Sequence, residues 1–211
     1  MSNARLEFKE GSALKGVTPE LITMHDMIVQ TMECISLIQN AFIYNRPKPL
    51  DECGRQVKDM LAKGAELVQD TAELHSGDAA WKPYVLIPHH ILSIAQGIEK
   101  LSRLIRKKVD EKILFSDKAV NESTYLLQRL TELLAPTADI VLARNIFLCM
   151  YIQESQASVS TMALQYATLH EERLIRGACN DLASPVYIGM LDAIKDIAWH
   201  SREIAVKLAG K

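Results

Sequence analysis

Aromatic residues are scarce in this sequence, and its charges almost cancel. Phe, Trp and Tyr make up 6% of the 211 residues, whereas hydrophobic residues as a whole make up 48%. A core must therefore be built mainly from Leu, Ile, Val, Ala and Met. Lys and Arg number 24 against 26 Asp and Glu, a formal net charge of -2. Because a chain without excess positive charge does not attract nucleic-acid phosphates, this balance argues against a nucleic-acid partner.

The cysteines form no recognisable metal or redox motif. There are four of them and no Cys-x-x-Cys pair, which argues against a zinc knuckle and a thioredoxin-type site: Cys34, Cys53, Cys149 and Cys179. Scattered cysteines of this kind are typical of buried, reduced thiols. They favour a reducing cytoplasm as the location of the protein.

Motifs for membrane insertion and for catalysis are also missing. The N-terminus has no apolar signal-peptide region, and the most apolar stretch elsewhere, residues 138–152, is interrupted by Asp139 and Arg144. We therefore expect neither a signal peptide nor a membrane-spanning helix. The sequence has no nucleophile elbow, phosphate-binding glycine loop, His-Glu-x-x-His or Glu-x-x-His motif. These absences argue against hydrolase, nucleotide and di-iron chemistry, and we predict a protein that is not an enzyme.

Amphipathic helical patterns fill the chain, three before a break at residues 110–116 and three after it. In the first pattern, apolar residues from Leu21 to Phe42 recur at steps of three or four, which indicates one buried stripe. A repeat of about 100 residues suits two fused three-helix units. We predict an all-α fold, a tandem pair of antiparallel three-helix bundles, divided into a flexible N-terminal segment (1–17), a first unit (18–112) and a second unit (113–211).

Capping residues mark the ends of the helices. Thr18, Ser116 and Ser184 are suited to N-caps, and Gly177 is suited to the left-handed position after a helix. Pro136 predicts that the fourth helix is kinked or split, because proline lacks the N–H that a helix interior needs. The six predicted helices span about 19–42, 51–74, 83/88–109, 117–145, 146–176 and 185–208.

Three stretches of the second half carry a family resemblance. They are Phe115 to Val120, His170 to Leu174 followed by Gly177 and Cys179, and Leu191 to Ala205 with its Trp-His-Ser-Arg-Glu run. Together they resemble the PhoU-like phosphate-signalling family, and in particular the cytosolic PhoU-like domain attached to sodium/phosphate cotransporters. The resemblance covers residues 18–208, but the residues that match the family specifically all lie in the second half. It implies a tandem pair of three-helix bundles.

The resemblance also implies where metal ligands would lie. Family members carry a Leu-Glu-Arg-Ile-Gly-Asp-His pattern on the third helix of each unit, whose Glu and Asp share one helix face and help to bind metal clusters. In this sequence the first copy of the pattern, residues 98–104, keeps Glu99 but has Arg103 in place of the Asp. The second copy, residues 194–200, keeps only the histidine, His200. It has Lys195 in place of the Glu and Trp199 in place of the Asp. Since a cation repels a metal ion and an indole offers it no lone pair, we predict a degenerate site.

A relocated metal site is an alternative to a lost one. Asp192 and Asp196 are four residues apart, and His200 follows at the next helical step, so the three share a helix face. Together with Glu99 they are the candidate ligands, for iron, zinc or another divalent ion. The interpretation we favour is a solvated acidic stripe without metal. His89 and His90 point about a hundred degrees apart on a helix, so only one of them can face a given site.

Charged segments supply the candidate partner surface. A basic run on the outer face of the third helix comprises Lys100, Arg103, Arg106, Lys107 and Lys108. Such a run is either a solvated face or a contact for phosphate or an acidic partner. The charged segment late in the fifth helix is either an exposed helix end or a partner-facing surface. The residues we predict to bind a partner are Lys100, Arg103, Arg106, Lys107, His170, Glu171 and Arg173.

The resemblance implies a cytoplasmic, non-catalytic regulator of phosphate uptake. It would bind a membrane phosphate transporter or an associated sensor kinase through helix faces. One alternative is a metal-binding helical bundle, storing metal or acting as an oxidase, with ligands among His90, Glu99, Asp192, Asp196 and His200. Another is a structural module that oligomerises, for example as a homodimer, through its long apolar stripes.

Overall fold

A computed structural model describes residues 16–74, 77–177 and 180–209. The predicted flexible segment 1–17 lies outside these ranges except for its last two residues. Within the described residues the chain is all-α, as predicted, and contains no strand. Six long helices are present there: α1 (Pro19–Tyr44), α2 (Lys48–Leu74), α3 (Ile87–Asp110), α4 (Asp117–Leu142), α5 (Ile146–Ile175) and α6 (Ser184–Leu208).

The helices form two equivalent triplets that share a central layer. Helix α1 packs against α3 and α4, and α6 also packs against α3 and α4. The outer helix α2 lies on α1 and α3, while α5 lies on α4 and α6 in the corresponding place. The triplets therefore join through two pairs of helices, α1 with α4 and α3 with α6.

The core follows the apolar stripes of the sequence. On α1 the residues Leu21, Met24, Ile28, Ile35 and Ile38 are buried, at the spacing of three or four that predicts a helix face. Each large aliphatic side chain removed from water contributes roughly 1.5–3 kcal/mol to folding, so these stripes supply the main driving force. Three of the cysteines are buried free thiols, as predicted, whereas the fourth lies outside the described residues: Cys34, Cys53 and Cys149.

Two of the predicted helix ends are confirmed in detail. The Ser116 hydroxyl accepts a hydrogen bond from the Ala119 N–H at 3.3 Å, which caps α4. Gly177 has a φ of 67°, the left-handed conformation expected after α5. Thr18 precedes α1 in an extended conformation, but its side chain makes no capping hydrogen bond.

Two other local predictions differ from the structure. Ser184 is the first residue of α6 and not its N-cap, which is Ala183. Its hydroxyl lies 3.0 Å from the His170 ring instead, so a tertiary contact replaces the cap. Of the two outcomes predicted at Pro136, the split does not occur, because α4 continues as one helix to Leu142, and the kink stays a prediction.

Glycines allow α3 and α6 to approach each other closely. A Cβ atom added at Gly97 would lie 2.5 Å from Cγ1 of Ile197, and one added at Gly189 would lie 3.1 Å from the Leu104 methyl groups. Both glycines therefore leave room for an aliphatic side chain of the opposite helix. Because residue 97 meets residue 197 while residue 104 meets residue 189, α3 and α6 run antiparallel.

Candidate functional site

Four exposed or half-buried basic side chains of α3 form the first candidate site. We call them the basic face: Lys100, Arg103, Arg106 and Lys107. The Lys100 Nζ lies 3.7 Å from the Asp196 carboxylate of α6, and the Arg106 guanidinium lies 2.7 Å from the Asp51 carboxylate of α2. No ion pair within the described ranges involves Arg103 or Lys107. Since exposed pairs are worth about 1 kcal/mol or less, the basic face remains available to an acidic partner.

Lys108 does not belong to the basic face, and the prediction that it lies on the outer side of α3 is wrong. Its exposed fraction is 4%. The Nζ donates a hydrogen bond to Oδ1 of Asn45 and lies 5.1 Å from the Phe42 ring and 5.6 Å from the Phe115 ring. One residue after Lys107 the helix has turned by about 100°, which directs this lysine inward. Burial lowers the pKa of its ammonium group.

A cavity of about 320 Å³ lies between α2 and α3, beside the basic face. Its lining combines apolar side chains with three basic ones, Arg103 and Arg106 of α3 and Lys58 of α2. Its volume is at the lower end of the range for small-molecule pockets. The lining residues are Leu50, Gly54, Val57, Lys58, Leu61, Glu99, Ser102, Arg103 and Arg106.

Each of the predicted metal ligands contacts a different part of the structure. Glu99 lines the cavity beside α2, and His200 contacts His90. Asp192 and Asp196 each face a lysine, at 3.0 and 3.7 Å. Across the described ranges, no three His, Cys, Asp or Glu side chains are grouped so that they could hold a metal ion. Metal binding by these residues therefore stays a prediction.

His90 and His200 form a half-buried contact between α3 and α6. Their Nδ1 atoms are 3.1 Å apart, and Trp199 packs edge-on against both rings. A hydrogen bond between two Nδ1 atoms needs one N–H donor and one lone pair, so the two rings cannot both be protonated without losing it. Burial lowers the pKa of both imidazoles, and the charge of His200 lowers that of His90 further. His89, which points about 100° away from His90, is exposed.

Glu122 of α4 lies at the centre of a mostly buried polar network. Its carboxylate accepts hydrogen bonds from the Arg173 guanidinium of α5 at 2.8 and 2.7 Å, and from the Tyr187 hydroxyl of α6 at 2.5 Å. The His170 ring packs against Tyr187 in a tilted arrangement, with centroids 4.6 Å apart. Burial and the hydrogen bond to Glu122 raise the pKa of Tyr187. The network therefore joins all three helices of the second unit.

The network also limits the partner surface predicted late in α5. His170 is 1% exposed, and the Arg173 side chain is 14% exposed in its pair with Glu122. Both lie on the inward side of α5, because residues three apart share one face of a helix. Glu171 is exposed, and it is the member of the segment that we keep in the proposed surface.

Sequence reasoning missed Glu122, although the sequence contains a signal for it. Glu122 lies three residues after Ala119 and four before Leu126, both of which are buried. A carboxylate within an apolar stripe at this spacing is a candidate buried charge. Its partner Tyr187 carries no comparable signal, because an aromatic residue is expected in a helix core.

A solved structure supplies the comparison that decides the fold. PhoU from Pseudomonas aeruginosa matches with a TM-score of 0.74, covering 90% of this chain and 91% of that chain at 12% sequence identity. The chain has a PhoU-like fold. This confirms the fold that the sequence resemblance implied, whereas the function of a PhoU-like protein does not follow from its fold alone. No protein-family model and no curated protein matches the sequence.

Helix α1 of this PhoU-like fold has a length and apolar composition that would allow it to cross a membrane. The core helix of a folded bundle has the same properties. Its side chains Met24, Ile28 and Ile35 are completely buried, and α1 packs against α2, α3 and α4. We therefore interpret α1 as a core helix of the bundle.

Proposed function

We propose that this PhoU-like protein regulates phosphate uptake or phosphate signalling in the cytoplasm by binding a partner, and that it is not an enzyme. The observation that supports the proposal is the match to PhoU over nine-tenths of both chains. The fold provides long exposed helix faces. The sequence contains none of the catalytic motifs considered above. Such a protein acts through surface complementarity.

The basic face of α3 is the surface that we propose for the partner. Arg103 and Lys107 are exposed and one helical turn apart, so they present two positive charges to one side. Their complement would be an acidic cytoplasmic surface of a membrane phosphate transporter or of an associated sensor kinase. Glu171, on the second unit, is a separate candidate contact.

The test measures phosphate uptake and a phosphate-starvation reporter in cells that lack the gene. The deletion is complemented by wild-type protein, by the double variant Arg103→Glu and Lys107→Glu, or by the control Lys118→Glu, which reverses an exposed charge on α4. We expect deletion to change uptake or reporter activity in phosphate-rich medium. Wild type and the control should restore both, and the double variant should not, because like charges at an interface weaken binding by about tenfold or more.

Two results would count against the proposal in different ways. If deletion changes neither phosphate uptake nor the reporter, the role in phosphate regulation is wrong. If the double variant complements as well as the control, the role stands but the partner binds elsewhere. Circular dichroism of the purified variants checks that each one is folded.

A metal-binding protein is the second candidate function. The observation that favours it is the pair of imidazoles, His90 on α3 and His200 on α6, within 3.1 Å of each other. Imidazole nitrogens bind zinc, but a site needs at least a third ligand. The test is metal content by mass spectrometry after purification without chelators, for wild type and for His200→Ala, Asp192→Ala and Asp196→Ala. Stoichiometric metal that these variants lose supports this function, and folded protein without metal contradicts it.

A further inference from the structure

Helix α5 has an apolar exposed side that the proposed function does not use. Among the described residues α5 packs only on α4 and α6, so one side of it is left uncovered. Phe147 and Leu164 on that side are 77% and 58% exposed, and Met150 and Tyr151 are each 44% exposed. Single exposed apolar residues are common on proteins, but several on one side of a helix mark an interaction surface.

The same side of α5 almost lacks charge. Between Ile146 and Leu169 the helix has a single charged residue, Glu154. Helix α2, which takes the corresponding outer place in the first unit, has ten charged residues between Lys48 and Glu73. Depletion of charge together with exposed Phe, Tyr and Met is typical of the core of a protein interface. The two outer helices therefore differ in what they present to their surroundings, and only α5 presents an interface composition.

The exposed residues between 147 and 168, which we call the α5 face, form one continuous stripe. They recur once or twice in every helical turn, beginning with Phe147, Met150, Tyr151 and Glu154. This spacing keeps them on one side of the helix over about 30 Å. A stripe of this kind is the surface with which a long helix packs along a second helix.

The α5 face is nearly symmetrical about its midpoint, which lies between Ala157 and Ser158. The bulky residues Tyr151 and Leu164 lie equally far from this point in the sequence, one on each side. The small side chains at the midpoint are exposed and leave room for another helix to approach closely. A surface with this symmetry is complementary to itself when a second copy runs in the opposite direction.

A second copy of the chain is therefore the partner that the α5 face fits. A partner selected by charge would need charges to meet, and this face offers only Glu154. In the antiparallel arrangement Glu154 lies against the uncharged Thr161 of the second copy, whose hydroxyl can donate a hydrogen bond to the carboxylate. The two Glu154 residues are then about 10 Å apart along the helix axis, so like charges do not face each other.

We propose that two copies of this protein form a homodimer in which their α5 faces pack antiparallel about a two-fold axis near residues 157 and 158. Tyr151 of each copy lies against Leu164 of the other, because a two-fold axis makes every such contact twice. Since α5 does not pack on α3, this interface does not include the basic face. The proposal is independent of the role in phosphate regulation.

The first experiment measures the mass of the full chain by sedimentation velocity between about 1 and 300 μM. We expect a dimer whose dissociation constant rises about tenfold or more in Leu164→Lys, because the ammonium group would be buried in the interface without a partner. Ile22→Lys is the matched control, since Ile22 is 47% exposed but belongs to α1, which does not pack on α5. Circular dichroism checks that each variant is folded.

A charge swap tests which residues meet. Tyr151→Glu combined with Leu164→Lys should restore the dimer, because the glutamate at position 151 of one copy then faces the lysine at position 164 of the other. Within one copy the two positions are about 20 Å apart along the helix, so they cannot form this ion pair there. A swap that leaves the protein as monomeric as Leu164→Lys would contradict the pairing of these positions.

A cysteine cross-link tests the antiparallel arrangement. It uses protein with Cys179→Ser, in which the remaining natural cysteines are buried. Ala157→Cys would place the two copies of residue 157 within about 2 Å of each other along the helix axis, whereas Thr168→Cys would place the two copies of residue 168 about 30 Å apart. Oxidation with copper phenanthroline should therefore join two chains through position 157 and not through position 168, which a non-reducing gel measures.

Several outcomes would overturn the proposal. It is wrong if the wild type is monomeric at every concentration, or if Leu164→Lys dimerises as tightly as Ile22→Lys. It is also wrong if position 168 cross-links as well as position 157. If Leu164→Lys does not fold, the comparison of the two cross-linking positions decides alone.

Discussion

The fold removes the charged side chains of Lys108 and Glu122 largely from water. Different interactions offset the cost of burying each charge. The Lys108 ammonium group makes one hydrogen bond, to Asn45, and lies near two aromatic rings, which attract a cation with about 0.5–2 kcal/mol each. The Glu122 carboxylate has a counter-charge and three hydrogen bonds. An unpaired buried charge is far more costly than a surface one, so removing a partner of Glu122 should be strongly destabilising.

Replacing Arg173 should therefore cost more than replacing Tyr187. We expect Arg173→Met to lower the free energy of unfolding by about 3–5 kcal/mol, because Glu122 is left without its counter-charge. Tyr187→Phe should lower it by about 1.5–3 kcal/mol, the value of one hydrogen bond to a charged group. Urea denaturation measures both values.

Arg176→Met is the matched control for the Arg173 prediction. It removes the same kind of side chain from the C-cap residue that follows α5, but its pair with Glu172 is at the surface, where the side chains are 75% and 50% exposed. Its effect should stay below about 1 kcal/mol. Equal effects of the two arginine substitutions would show that the buried network does not stabilise the second unit.

At the scale of helices, two glycines have opposite roles. Gly97 of α3 lies against Ile197 of α6, and a methyl group there has no space. Gly54 lies within α2, is exposed, and has nothing within 4 Å of an added Cβ. In a helix interior alanine is favoured over glycine by about 0.8–1 kcal/mol unless packing opposes it. Packing therefore decides whether a Gly→Ala substitution stabilises or destabilises the protein at each of these two positions.

Gly97→Ala should destabilise the protein and Gly54→Ala should stabilise it. We expect a loss of about 1–3 kcal/mol at position 97, because the Ile197 atom in contact is near the backbone end of its side chain and cannot easily move. At position 54 we expect a gain of about 0.5–1 kcal/mol. Thermal and urea denaturation of both variants test this, and a stabilising Gly97→Ala would mean that α3 and α6 are farther apart than described.

For the whole molecule, the α3–α6 interface is one of the two helix pairs that join the triplets. His90 and His200 lie in this interface, and both have a lowered pKa. Glu203 and Asp196 are the acidic groups near the pair, and Lys207 is a basic one. Protonation of both rings would break their hydrogen bond and place two positive charges side by side.

The stability of the protein should therefore fall as the solution becomes acidic. An imidazole with a pKa below 6.5 in the folded state stays neutral while the unfolded chain already binds protons. The free energy of unfolding is then highest above about pH 7.5 and decreases as the pH falls through about 6.5, until the folded-state rings are protonated too. Urea denaturation between about pH 7.5 and 5.5 measures this decrease.

His200→Gln should make the stability less dependent on pH, because it removes one of the two rings. His89→Gln is the matched control, since His89 is next to His90 in the sequence but exposed. His170, whose pKa is also lowered by burial, contributes a pH dependence that both variants retain. If both variants show the slope of the wild type, the pair of imidazoles does not link pH to stability.

The sequence by itself determined the helices, the break between the two triplets and the all-α class. These features depend on local signals, namely the spacing of apolar residues such as Leu21 and Ile28, the cap at Ser116 and the glycine after α5. A pattern at steps of three or four is visible without knowing what the helix packs against. For the same reason the helix ends were predicted within a few residues.

Only the tertiary structure decided which polar side chains turn inward and which distant residues meet. Lys108 differs from the exposed Lys107 by one helical step, and the packing of α3 against its neighbours sets which of them is buried. His90 meets His200 across 110 residues of sequence, and Cys34 meets Cys53 across a helical hairpin. Such contacts depend on how each helix is rotated and paired, which local spacing does not determine.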